Sequence, residues 1–195
     1  RSTYNGPRDG VLGGIAAFGG TEKLDFFGSF AGTSLDNYKS ADGIEVPAGQ
    51  KEFGGSISLG YRPSPDHRLR FGFIDLEDRG TDYPSLPMNS ENSSSRVFNA
   101  GYRIGRTGKT FEGFRFRAGY GAVDHKMNNE GKETREKFEA ETVADSDFFS
   151  TSLEGKWHPS SATVLTAGAD FFHLNRDALI SRHMLSNNRT FLDHI

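Results

Sequence analysis

His125 and Met127, two residues apart, and His183 beside Met184 are the side chains in this 195-residue chain whose types most suggest chemistry. Met88 and His194 extend the set. An imidazole next to a thioether is a soft donor pair, the kind that suits copper. A metal site also needs several donors in fixed geometry. All six residues fall in polar stretches that read as loops, so they read first as solvated side chains and only second as ligands.

Other chemistries are harder to build. The run "GRTGKT", residues 105–110, ends like a phosphate-binding loop, but that motif needs glycine at position 103, where the chain has Arg103. It reads as a tight turn. No G-x-S-x-G nucleophile elbow and no H-E-x-x-H helix occurs. No enzyme is indicated by motif, and no resident cofactor is called for. The mixed run "EGKETREKFEAE", residues 130–141, reads as a solvated loop wall, with a short helix carrying opposite charges at helical spacing as the alternative. Asn92 and Asn188 head glycosylation sequons, which mean little if the source is bacterial.

Composition narrows the class. Net charge is -3, which gives no reason to expect a nucleic-acid partner. Cysteine is absent, so disulfide frameworks and thiolate metal sites are out. A mean hydropathy of -0.59 and the lack of a long apolar run rule out a membrane-spanning helix. They leave a membrane barrel open, because its lipid-facing and lumen-facing residues alternate and average out. The 24 glycines and 17 phenylalanines favour strands over helices. The chain opens at Arg1 with neither Met nor a signal-peptide pattern, as a mature or excised segment would.

The elements that must hold these residues follow from a period of two. Gly55, Ile57, Leu59 and Tyr61 share one parity, against Gly54, Ser56, Ser58, Gly60 and Arg62. Leu24, Phe26, Gly28 and Phe30 alternate with Asp25, Phe27, Ser29 and Ala31. The same design returns in residues 96–105, 114–122, 149–157 and 165–171, and more weakly in the Gly-rich residues 11–20. In residues 68–79 the apolar parity runs through Leu69, Phe71 and Phe73, then switches to Ile74 and Leu76. That switch reads as a bulge near Phe73. About eight strands result, each near the ten residues a tilted strand needs to cross a bilayer.

The connections sort by length. Residues 19–23, 62–67, 106–110 and 158–162 are short, whereas 39–50, 80–95, 125–146 and 176–195 are long and polar. They alternate strictly, so an up-and-down meander puts tight turns on one side and large loops on the other, the layout of outer-membrane barrels. Tyr61, Tyr102, Phe111 and Trp157 border the short turns as a girdle at a membrane interface would. Residues 174–195 read as loop with no following strand. The chain then looks like an all-β, antiparallel, up-and-down slice of a larger barrel, not a closed small one.

At residues 80–90 the chain reads "GTDYPSLPMNS", directly after a strand and entering a long loop. This resembles TonB-dependent outer-membrane receptors, in which a strand often runs out into Tyr-Pro-Ala-Leu-Pro-Met-Asp. Ser85 and Asn89 stand here in place of the Ala and Asp. The tail "NRTFLDHI", residues 188–195, is similar to a segment that such receptors continue with Trp-Pro-Asp and the next strand.

The resemblance implies part of a 22-stranded barrel in the bacterial outer membrane, about a third of it, with the plug domain, the TonB box and the remaining strands outside residues 1–195. It implies energised import of a scarce nutrient: a ferric siderophore, haem, cobalamin or a metal chelate. The implied partners are that small molecule, the lipid bilayer and, through the plug-bearing part, the TonB complex. Ligand capture would fall to external-loop residues, for which Asp82, Tyr83, Met88, Asn89 and Arg182 are the candidates. His125, Met127, His183 and Met184 remain the candidates for metal. Two rival readings stay open: a passive porin or small closed barrel, and a soluble β-rich binding or adhesion module.

Overall fold

A computed structural model describes residues 2–3, 8–105, 108 and 110–194. Eight long strands carry the chain: β2 (Arg8–Gly20), β3 (Leu24–Lys39), β5 (Gln50–Ser64), β6 (His67–Asp78), β7 (Asn89–Ile104), β8 (Phe111–Asn128), β9 (Phe138–Ser160) and β10 (Thr163–Met184). Three short ones, β1 (Ser2–Thr3), β4 (Glu45–Val46) and β11 (Arg189–His194), join them in one sheet. Every pairing is antiparallel and follows chain order, with β4 added to β3 off the main path. The two ends of the path do not pair with each other, so the sheet is open.

Register explains why the alternation repeats. Residues directly opposite one another in an antiparallel pair project from the same face. One continuous row runs Ala17, Gly28, Ile57, Phe73, Phe98, Tyr120 and Phe149 across seven strands. The next runs Phe26, Leu59, Phe71, Ala100, Ala118, Thr151 and Phe171. The apolar parities of all the strands therefore merge into one face. Phe73 and Phe98 pack their rings 4.6 Å apart within it.

That face is bounded at both ends. Toward the long connections the following row reads Asp75, Arg96, Ala122 and Asp147, with Arg96 bonded to Asp75 at 3.3 Å. Toward the short turns lie Tyr61, Leu69, Tyr102 and Phe116, and beyond them the ring pair Phe111 and Trp157. The four sequence-proposed girdle aromatics thus share the apolar face. The His67 ring stacks on Tyr102 and bonds its hydroxyl at 2.6 Å.

The opposite face is polar. Near the short turns, Arg62, Arg68 and Arg70 converge on Asp25 at 3.9, 2.9 and 3.6 Å. Above them the hydroxyls of Ser29 and Ser56 meet at 2.8 Å. Among the described residues the buried apolar side chains are only Ala48, Ala140, Ala144 and Ala178. The sheet is a single layer with no hydrophobic core.

Several sequence expectations are corrected here. No bulge lies near Phe73: Ile57 pairs Phe73 and Ser56 pairs Ile74 without a break. Ile74 and Leu76 instead stay on the polar face, where Gly54 leaves room for the Leu76 side chain. At that height the strand's outward residues are Asp75 and Glu77, so the parity switch marks the end of the apolar band. Within the long strands, register shifts occur only toward their ends, at Arg8/Gly10, Tyr61/Ser64, Ser90/Asn92, Phe111/Gly113 and Thr163/Leu165.

The long connections are shorter than read. β7 already begins at Asn89, β8 runs to Asn128, β9 starts at Phe138 and β10 reaches Met184. Residues 174–195 are not loop. They form the end of β10 and, after a turn in which Asn188 adopts φ 55°, the paired strand β11. Polar side chains hid these extensions, since a strand wet on both faces has no alternation to read. The "GRTGKT" turn falls partly outside the described residues, at Arg106, Thr107 and Lys109.

Candidate functional site in the long connections

Three connections at one end of the sheet are fastened to one another. In residues 79–88, Thr81 bridges to Ser90 through two backbone bonds of 3.0 Å, which pinches the loop at its base. The Tyr83 N–H donates to Asn89 Oδ1 at 3.0 Å, and Leu86 N–H to the Tyr83 carbonyl at 3.1 Å, which turns the Tyr-Pro-Ser-Leu stretch back on itself. The Asp82 N–H donates to the Gly49 carbonyl at 2.8 Å, tying this loop to the β3–β5 connection.

The β8–β9 connection closes the third side. Lys132 Nζ donates to the Tyr83 carbonyl at 2.5 Å, and Asn89 Nδ2 to the Glu130 carbonyl at 3.2 Å. This connection is itself pinned by Asn129, which is 1% exposed. Its side chain donates to the Phe138 carbonyl at 2.8 Å and to Thr134 Oγ1 at 3.2 Å, and accepts the Ala140 N–H at 2.9 Å. A single 3-10 turn, Glu133–Glu136, follows in the run read as loop wall or short helix. Arg135 pairs Glu139 at 2.8 Å across it.

Asp82, Tyr83 and Asn89 are thus brought together, and Met88 precedes Asn89 in the same loop. Arg182 is not among them: it is exposed on β10, opposite Ala140 and Phe191. Burial, reinforced by the charges of Asp78 and Glu52, pushes the Tyr83 phenol above its ordinary value. Beside the loops, Lys126 and Asn128 donate to Glu91 at 3.1 and 2.9 Å and hold its carboxyl below the usual range.

The metal candidates divide. His125 and Met127 alternate on the polar face of β8, opposite Ala144 and Thr142. The Thr142 hydroxyl donates to Met88 Sδ at 3.8 Å, so Met88 and Met127 flank one threonine. His183 and Met184 are adjacent on β10 and therefore leave from opposite faces. His183 Nδ1 meets Thr190 Oγ1 at 3.0 Å, and His194 lies on β11 opposite Leu179. No group of three or more His, Asp or Glu side chains is gathered to hold a metal ion among the described residues.

Between the three connections opens a cleft of about 860 Å³, to which Glu45, Asp82, Leu86, Ser90, Glu130 and Glu133 all contribute. Sequence reasoning found Asp82 and Asn89 but missed Lys132, Asn129 and Ser90. These lie in polar runs where only pairing across loops distinguishes a fastener from a solvated side chain.

No family model matches the chain, and no curated protein matches it in sequence. Solved structures do. The copper transporter OprC superposes with a TM-score of 0.82 at 15% sequence identity, over 94% of this chain and 29% of that one. The chain thus spans less than a third of that transporter's length. The likeness is one of fold: an antiparallel, up-and-down β-sheet that superposes on part of that transporter.

Proposed function

We propose that this chain forms part of the barrel wall of a TonB-dependent outer-membrane receptor that imports a scarce nutrient. The observation that carries the reading is the single-layered sheet. Its outward-registered apolar band ends in a charged row on one side and an aromatic row on the other, and nothing is packed beneath it. A soluble sandwich would bury one of these faces against a second layer. Lipid covers an apolar band of this kind in membrane barrels. A hollow of about 440 Å³ over Ala100 and Ala118, rimmed by Phe71, Phe98 and Tyr120, suits an acyl chain.

In this reading the polar face lines the lumen, and its Asp25 and arginine cluster stays hydrated near the periplasmic turns. The long connections are external and meet the nutrient first. Transport is then binding followed by energised passage, with no bond made or broken by the chain. Copper, named in the transporter of similar fold, favours a metal ion or chelate among the candidate cargoes. Met88 and Met127 on the polar side are the thioethers such a soft cation would meet.

Sidedness tests this. Single cysteines at Asn92 and at Ser64 in the full-length receptor should differ on intact cells: an impermeant thiol reagent should label position 92 and spare position 64. Labelling at 64 alone would invert the orientation. In parallel, uptake of the cognate nutrient should stop when TonB is deleted. Uptake that continues unchanged would replace the receptor with a passive porin.

A further inference from the structure

We infer that the polar face of the sheet holds a small oxyanionic solute, one carrying carboxylate or phosphate groups, in a cradle floored by Gly101 and walled by Arg70, Arg103 and Arg117. The inference needs only that this face is wet, so it stands apart from TonB dependence. Cross-strand register builds the cradle. Gly60, Arg70, Gly101 and Arg117 lie directly opposite one another on β5, β6, β7 and β8, and so project from one face. Arg70 and Arg117 flank Gly101 with their Cα atoms about 10 Å apart, two strand spacings. In the next row toward the short turns, Arg68, Arg103 and Arg115 are likewise opposite one another. Like charges in directly opposed positions destabilise a sheet unless something neutralises them.

The carboxylates at hand leave part of this charge uncovered. Asp25 is already shared by Arg62, Arg68 and Arg70, and Glu154 reaches only Arg115, at 3.8 Å. Asp170 lies beyond Ser152, two strands from Arg117. Arg103 and Arg117 are exposed, and neither is in an ion pair among the described residues. Gly101 makes the second, independent point. A Cβ there would have no atom nearer than the Phe116 carbonyl oxygen at 3.8 Å and Arg117 Cγ at 4.0 Å. At Gly60 and Gly72 on the same face, the Asp25 and Asn99 side chains already fill that space. The wall between Arg70 and Arg117 is thus open down to the backbone. Guanidinium forks take carboxylate and phosphate oxygens in pairs, and a floor without a side chain lets such a group settle between them.

Citrate, a tricarboxylate, is the probe, and phenylglyoxal, which modifies arginine, is the reporter. On the full-length protein in detergent, mapped by peptide mass, citrate should slow modification of Arg103 and Arg117 severalfold. Arg96, on the opposite face and paired with Asp75, should react at an unchanged rate. This reading depends on no variant folding. Calorimetry should then show citrate binding that weakens at least tenfold in R103Q/R117Q. It should weaken severalfold in G101V, which keeps every charge and fills only the open floor. Absence of protection, equal protection of Arg96, or unchanged affinity in either variant would overturn the inference. Arg103 and Arg117 that resist phenylglyoxal before citrate is added would overturn it too, because acidic side chains elsewhere in the protein would then occupy the cradle. None of these results touches TonB-dependent uptake, which is measured separately in cells. Conversely, TonB-independent uptake would remove the receptor reading while the citrate result stood.

Discussion

Asn129 closes on Ala140 twice: its backbone N–H donates to the Ala140 carbonyl at 3.2 Å, and its side-chain oxygen accepts the Ala140 N–H at 2.9 Å. The side-chain amide also holds Phe138 and Thr134, so one buried residue satisfies both ends of the β8–β9 connection. Asn129→Leu keeps the backbone bond but removes the side-chain bonds, leaving the Ala140 N–H and the Phe138 carbonyl without those partners, at about 1–3 kcal/mol for each group lost. Hydrogen exchange in residues 129–140 of the folded protein should accelerate by tenfold or more, while residues 114–122 stay protected. Equal protection in the variant would show that the loop is held elsewhere.

Leu59 and Ser58 test the two faces. Leu59 belongs to the apolar row with Phe26 and Phe71, whereas Ser58 lies opposite Phe27 and Gly72 on the other side. Arginine at an outward site in mid-membrane costs about 2–4 kcal/mol in such barrels, and a lumen site tolerates it. Leu59→Arg should lower folded yield and midpoint in a urea titration of the refolded protein. Ser58→Arg should change them little. Matching losses in the two variants would cancel the facial assignment.

How far the sequence reached depends on where a residue sits along the strand. Within the apolar band, parity alone named the outward residues: Phe98, Ala100, Tyr102 and Ile104 on β7 all lie on the face read for them. Beyond the band both faces are wet, and alternation vanishes although the hydrogen-bond ladder continues. That is why residues 138–146 and 174–184 read as loop while forming the ends of the two longest strands. The same physics explains Ile74 and Leu76, apolar residues on the polar face that imitated a bulge. In the loops, the resemblance at residues 80–90 marked Asp82 and Asn89, but fasteners such as Lys132 owe their role to a carbonyl 49 residues away.

Glu91 predicts a pH dependence. Its carboxyl is held below the ordinary value of 4.5 by hydrogen bonds from Lys126 and Asn128. A depressed folded-state value means that the contribution to stability is present above about pH 4.5 and is lost as pH falls through the folded value. The pair is exposed and screened, so the effect is local and about 0.2–1 kcal/mol. Exchange rates in residues 89–92 and 126–128, corrected for intrinsic rate, should rise between pH 6 and pH 3.5 in the wild type. Glu91→Gln should already show the faster rates at pH 6 and change less. A variant that keeps the wild-type pH response would assign it to another group.

Residues 1–195 tested alone give the last prediction, and it follows from the open sheet. β2 and β10 each have a long partner on one side and only a short strand on the other, two residues of β1 and six of β11. Much of each outer edge therefore presents unpaired N–H and C=O groups, which hydrocarbon does not tolerate, at several kcal/mol per group. In water the same edges recruit other chains. Ile57 and Phe98 in one outward row and Phe71 and Phe171 in the next, each more than half exposed, add an apolar surface far larger than soluble monomers carry. In the wide barrel proposed above, curvature keeps the first and last strands of such a segment too far apart to pair. The isolated segment should therefore aggregate in buffer and give no monomeric, heat-modifiable band after refolding into detergent micelles. A protease-resistant monomer that shifts on heating would mean that these strands close on themselves, and the small closed barrel would then be the correct architecture.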